Sequence, residues 1–139
     1  MTEALTVGGA DSDLQKRLED ELTAFNLRAT RTTEIEDYTV AIRDEAGELV
    51  AGLTGWVWRD CGGVSLIWVR EDQRGAGHGS RLLAAAEQEV VRRGCDRIIL
   101  SSFTFQAPDF YRRNGYTETG RWPGFPTGAE DVHFTKQLA

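Results

Sequence analysis

The chain has 139 residues, a formal net charge of −6, 40% hydrophobic residues and two cysteines. That length predicts a single domain over 1–139 with one core, and the composition excludes disordered and fibrous classes. The acidic balance argues against a nucleic-acid partner, which needs a positive surface, and no apolar run reaches the ~20 residues of a membrane span. Met1 to Asp13 carries acids and no long apolar core, so it does not read as a signal peptide. Cys61 and Cys95 match no metal or redox spacing and fit a reduced, cytoplasmic setting. No His/Cys/Asp cluster has ligand spacing, so no metal is expected.

In chain order, Leu5 to Val7 is a short strand candidate. Asp11 or Ser12 caps a helix running to about Asn26, with Leu14, Leu18, Leu22 and Phe25 on one face. Tyr38 to Arg43 and Leu49 to Trp58 alternate as strands around a turn at Gly47, and Asp60 to Gly63 reads as a second hairpin turn. Val64 to Val69 is a nearly continuous apolar strand, the pattern of burial on both faces. A helix from Arg81 to Arg93 turns Leu82, Leu83, Ala86 and Val90 to the core and stops at Gly94. Arg97 to Ser102 is a further buried strand, parallel to Val64–Val69 through a right-handed crossover. Ala107 to Arg113 is a short helix. Tyr116 to Gly120 and Asp131 to Gln137 form a last antiparallel pair. The order βαβββαβαββ predicts a mixed α/β fold with a mostly antiparallel central sheet and flanking helices.

The most informative stretch joins the middle strand to its helix: Arg74-Gly75-Ala76-Gly77-His78-Gly79-Ser80. Unpaired N–H groups and the positive end of a helix dipole hold anions there, and glycines let a phosphate come close. A phosphate-binding Walker A loop needs Gly-Lys-Ser/Thr, and the lysine is missing. A dinucleotide fingerprint needs G-x-G-x-x-G after the first strand of a βαβ unit, and both spacing and place are wrong. The remaining pattern, Arg-x-x-Gly-x-Gly, is met by Arg74, Gly77 and Gly79.

With that turn, and with Ala107-Pro108-Asp109-Phe110-Tyr111-Arg112-Arg113-Asn114-Gly115-Tyr116 after the next strand, the chain resembles the GNAT N-acetyltransferases. Phe105-Gln106-Ala107 through Tyr111, followed by Phe125-Pro126-Thr127-Gly128, is similar to a bacterial subgroup of that family. This chain has Thr127 and Ala129 where the subgroup continues with Pro and His, and Thr104 where the family commonly has Asn.

The resemblance implies an acyl-CoA-dependent N-acyltransferase that moves acetyl from acetyl-CoA to a primary amine within a ternary complex. It implies cofactor binding by Trp68, Val69, Arg74, Gly75, Ala76, Gly77, His78, Gly79 and Ser80, with Val69 pairing the pantetheine arm like an added strand. It implies an oxyanion donor at about Ile67 and a general acid at Tyr111. Phe25, Asn26 and Trp56 are weaker acceptor-side candidates. A familiar glutamate position falls at about Gly63, so the base is open among Glu34, Glu36, Asp37, Asp60, Glu130, Asp131 and His133. The acceptor is a small-molecule or protein amine, and a homodimer fits the family. The alternative is a non-catalytic CoA-binding sensor or interaction module on the same fold. The remaining arginines near these motifs, Arg112 and Arg113, read as surface residues.

Overall fold

The structure, a computed structural model, describes residues 3–32 and 34–138. It divides into two compact units, one ending at Glu34 and the other beginning at Ile35.

The smaller unit is a single helix, α1 (Ser12–Thr30). Asp11 caps it, its carboxylate accepting the Leu14 N–H at 3.0 Å. Leu14, Leu18, Leu22 and Phe25 recur at helical spacing as expected, and none of them is buried. The helix runs past the expected end near Asn26 because no residue there breaks it. The stop is Arg31 in the left-handed region (φ 54°), whose N–H returns to the Leu27 carbonyl at 2.9 Å. The strand expected at Leu5–Val7 is absent: these residues carry no regular structure, and no strand of the sheet pairs with them. A segment of three residues cannot hold a strand without a partner.

The larger unit runs β1 (Glu36–Arg43), β2 (Leu49–Trp58), β3 (Cys61–Val69), α2 (His78–Arg92), β4 (Arg97–Phe103), α3 (Pro108–Arg113), β5 (Thr117–Trp122) and β6 (Asp131–Gln137). Its six strands form one sheet in the order β1-β2-β3-β4-β6-β5. Only β3 and β4 pair in parallel, as their α2 crossover requires; every other neighbour is antiparallel. The expected mixed, mostly antiparallel α/β sheet is therefore present, without its first strand.

The turn between β2 and β3 is tighter than expected, with Arg59 and Asp60 alone outside the strands and Arg59 at φ 56°. Gly62 and Gly63 belong to β3 and serve close packing. A Cβ on Gly62 would sit 2.7 Å from Val90, and one on Gly63 would run into the Trp56 ring.

One face of the sheet carries the core. Leu82, Leu83, Ala86 and Val90 of α2 pack with Ala51, Leu53, Ile98, Tyr111 and Phe134. Each fully buried apolar side chain contributes roughly 1.5–3 kcal/mol. The expectation that β3 is buried on both faces, and that β4 is a further buried strand, is corrected. Ile98, Leu100 and Ser102 alternate with exposed Ile99 and Ser101. On β3, Leu66 is 71% and Trp68 47% exposed. Both strands are apolar for another reason: they bound a split in the sheet.

Candidate active site

The parallel pairing of β3 with β4 is brief. Cys61 faces Arg97, Gly62 faces Ile98 and Gly63 faces Ile99, and the register ends there. From Val64 onward β3 continues beside β2 alone. A cavity of about 340 Å³ fills the gap, bounded by Val64 to Val69 on one side and Leu100 to Ser102 on the other. A second cavity of about 550 Å³ adjoins it and extends to the turn before α2, and the two share Ile67, Trp68, Val69, Arg74, Ala107 and Tyr111 as walls.

The open edge of β3 presents specific backbone groups. Arg70 N–H donates to the Val50 carbonyl at 2.8 Å, and Val69 stands opposite Ala51. In an antiparallel ladder this makes Val69 a non-hydrogen-bonded position, and two residues back Ile67 is another. The N–H and C=O groups of Ile67 and Val69 therefore point away from β2, into the split. The strand irregularity lies at Ser65, which has no partner between the pairs Thr54–Leu66 and Gly55–Val64. It falls two residues before the position expected to donate, and it sets the phase that turns Ile67 N–H outward.

The turn between β3 and α2 ends the larger cavity. Gly75 (φ 81°) and Gly77 (φ 85°) are left-handed, a conformation that a Cβ would strain. Gly79 serves otherwise: a Cβ there would lie 2.9 Å from Phe110, so its absence lets α2 and α3 close on each other. The helix starts at His78, three residues before the expected start, so His78, Gly79 and Ser80 form its first turn. Gln73 N–H donates to Arg70, Arg74 N–H to Glu71 and Arg81 N–H to Gly77. Between them, none of the amides from Gly75 to Ser80 has an acceptor among the described residues. No acidic residue occupies the first turn of α2. An anion is the ligand such an array accepts.

Side chains add positive charge. Arg74 folds back so that Nε donates to the Val69 carbonyl at 3.0 Å, and Arg81 lies 3.3 Å from His78 Nδ1. Arg113, expected at the surface, lines the larger cavity with Asn114. Neither Arg74, Arg81 nor Arg113 has a carboxylate partner among the described residues, whereas Arg92, Arg93, Arg112 and Arg121 all do. The local field is cationic on a chain of net charge −6.

Tyr111 reaches the site from α3. The Ala107 N–H donates to the buried Ser102 hydroxyl at 3.3 Å, which ties the start of α3 to β4. Asn114 Nδ2 donates to the Phe110 carbonyl at 2.8 Å, and Tyr116 N–H returns to the Tyr111 carbonyl at 3.0 Å across Gly115 (φ 91°). The ring is 5% exposed, with centroids 5.8 Å from Phe134 and 6.0 Å from Tyr116. Its hydroxyl makes no hydrogen bond among the described residues. Burial pushes its phenol above the usual value.

Residues 10–116 match the Acetyltransferase (GNAT) family. The chain belongs to this family. It is 38% identical over 122 residues to a blasticidin-S acetyltransferase of Streptomyces morookaense, covering 81% of this chain and 88% of that protein. It is 33% identical to the acetyltransferase Atu2258 of Agrobacterium fabrum, covering 80% and 81% of the two chains. A crystal structure of an acetyltransferase from Bacillus cereus superposes with a TM-score of 0.84 at 28% identity, covering 96% of this chain and 98% of the other. The chain is an N-acetyltransferase, and acetyl-CoA is its acyl donor.

The free amides, the unpaired arginines and the joined cavities fit a long ligand carrying phosphates at one end. Of the residues expected at the acetyltransferase site, Ile67, Trp68, Val69, Arg74, Gly75, Gly77, His78, Gly79, Ser80 and Tyr111 border the larger cavity; Ala76 does not. Trp56 stands beside Gly63 where β3 and β4 still pair, outside the walls of both cavities. Phe25 and Asn26 belong to α1 and so to the other unit. Gln73, Arg113 and Asn114 also line this cavity and are not among the expected site residues. The signal for Asn114 is its spacing: Phe110 and Tyr111 of α3 and its two flanking caps, Ala107 and Asn114, recur at helical spacing.

Proposed function

We propose that the turn from Gly75 to Ser80 holds the diphosphate of acetyl-CoA and that the thioester lies in the split between β3 and β4. In this reading the Val69 N–H binds the pantetheine arm; its carbonyl is already engaged by Arg74. The Ile67 N–H meets the oxygen that becomes negative during attack. Removing one such donor typically costs ~10²–10³ in rate. Tyr111 donates a proton to the departing sulfur. Phenols titrate near ~10 and thiols near ~8.5, so the transfer is mildly uphill, and the raised Tyr111 phenol stays protonated over the whole neutral range. The uncommitted hydroxyl on the wall of both cavities carries this assignment.

The acceptor in this reading is a cationic small-molecule amine. The likeness to a blasticidin-S acetyltransferase across 81% of the chain supports it, and a net charge of −6 attracts such a molecule. Blasticidin S is the first compound to try. The two free thiols, Cys61 and Cys95, support a reducing, cytoplasmic setting. Thiol release from acetyl-CoA, followed with blasticidin S and a panel of polyamines, aminoglycosides and lysine peptides, tests the acceptor. Turnover with a small cationic amine is expected. Turnover with lysine peptides alone would replace this acceptor class, and tight acetyl-CoA binding with no release would favour a sensor.

A further inference from the structure

The reaction needs a group that takes a proton from the attacking amine, and the place where a family glutamate would fall holds Gly63. Among the described residues two buried side-chain atoms lack a hydrogen-bond partner, and they belong to neighbours on one strand face: Oδ1 of Asp131 and Nε2 of His133. His133 Nε2 lies 3.5 Å from the other carboxylate oxygen of Asp131. Leaving buried polar atoms unpaired costs about 1–3 kcal/mol each, so such a pair calls for a reason. A carboxylate accepts only, so the ring nitrogen turned toward it must carry the proton. That leaves Nδ1 with its lone pair. Nδ1 makes no hydrogen bond among the described residues and is not among the atoms closed off from solvent.

His133 lies one strand beyond the split, outside the walls of both cavities, and is joined to it through Ser101. His133 stands directly opposite Ser101 on β4, and Asp131 opposite Phe103, so they share the sheet face away from α2. Ser101 lines the split, and directly opposed side chains have Cβ atoms ~4.5–5.5 Å apart. Tyr111 approaches the same split from the α2 face. The Trp122 ring packs against the imidazole, with centroids 4.6 Å apart and planes tilted by 53°. Around His133 in this unit, β4 presents Ser101 and Phe103, β5 presents Gly120 and Trp122, and β6 presents Asp131 and Thr135. Glu118 and Arg121 stand opposite Phe134 and Val132, on the other face, and Glu130 pairs with Arg121. Among the described residues of this unit, Asp131 is the one charged group turned toward the ring.

We propose that Nδ1 of His133 is the proton acceptor for the amine and that Asp131 is its positioning residue. The inference rests on the reading that the thioester occupies the split. The amine nitrogen bonds to the carbonyl carbon, and its surplus proton passes to Nδ1. The carbon–sulfur bond breaks, its electron pair stays on sulfur, and the Tyr111 hydroxyl supplies the thiol proton. His133 then releases its proton to water and Tyr111 regains one, so that amine and acetyl-CoA give amide and free CoA.

The sequence has two histidines, so imidazole nitrogen NMR resolves both. His133 is expected as the Nε2–H tautomer, and Asp131→Asn is expected to disturb it; an Nδ1–H tautomer overturns the proposal. With blasticidin S as acceptor, or with the polyamine spermidine if that is the one turned over, His133→Gln is expected to lower kcat/KM by ~10²–10⁴ and to remove its dependence on pH near neutrality. An unchanged profile overturns the proposal. Acetyl-CoA binding and the effect of Tyr111→Phe report separately on the cosubstrate site, so failure there is distinguishable from failure of His133.

Discussion

The seam between β3 and β4 has two halves of opposite character. From Cys61 to Gly63 it is closed: parallel pairing is complete, Gly62 lies under Val90, and the Tyr38 hydroxyl donates to the Gly63 carbonyl at 2.9 Å. From Val64 onward it is open, and the groups that a neighbouring strand would consume are left for a ligand. The buried tyrosines record the same division. Tyr116 donates to Glu87 at 3.0 Å and Tyr38 to Gly63, while the Tyr111 hydroxyl is unused. The site lies where the ladder is unfinished. Completing it would stabilise the sheet and remove the donors at Ile67 and Val69.

The sharpest way to break this contrast is to delete hydroxyls on each side. Tyr111→Phe is expected to lower turnover by roughly 10²–10⁴ while acetyl-CoA still binds and stability holds. Tyr116→Phe is expected to do the reverse. It removes a hydrogen bond to a charged carboxylate, costing ~1.5–3 kcal/mol of stability, and leaves turnover near that of the parent because Glu87 keeps its ion pair with Lys136 at 2.8 Å. Steady-state kinetics and urea unfolding on both variants decide. Equal kinetic losses would show that Tyr111 acts only as packing.

A smaller effect is expected at the two ends of α2. Gly77 (φ 85°) precedes its start and Gly94 (φ 97°) follows its end, both left-handed with open space where a Cβ would go. Alanine costs ~1–2 kcal/mol of backbone strain at either place. Gly77→Ala also shifts the free amides, so it is expected to weaken acetyl-CoA binding about tenfold, equivalent to ~1.4 kcal/mol. Gly94→Ala is expected to leave binding unchanged. Calorimetric titration with acetyl-CoA separates the two variants, and equal weakening would deny the turn a direct role.

These expectations show what could be read beforehand. The core face of α2 was legible because Leu82, Leu83, Ala86 and Val90 repeat at the helical period. The glycine turn was legible because left-handed residues and a free helix start are local properties. The split was not. Apolar Val64–Val69 reads as a strand buried on both faces, and nothing local tells that its parallel partner leaves after Gly63. Leu5–Val7 failed for the same reason, since a strand exists only through its neighbour. Asp131 and His133 share a strand face by simple alternation, as many strand residues do; their place beside Ser101 and Phe103 comes from cross-strand register.

The closed half carries a weaker signature that alkali exposes. Desolvation by burial raises the Tyr38 phenol from 10.0 to about 12. In the unfolded chain it titrates near ~10. Below that pH both states hold the proton and the group adds no pH dependence. Between ~10 and about 12 the unfolded chain has lost the proton that the folded state keeps, so unfolding releases one proton and stability falls as pH rises, by ~1.4 kcal/mol per pH unit. Tyr38→Phe is expected to lose the hydrogen bond to Gly63 and to flatten this decline by one proton's share, with Tyr111 and Tyr116 supplying the remainder. Urea titrations at several pH values across that window measure the slope directly. A slope unchanged in Tyr38→Phe would mean that water already reaches the closed half of the seam, and the contrast with the open half would then rest on strand pairing alone.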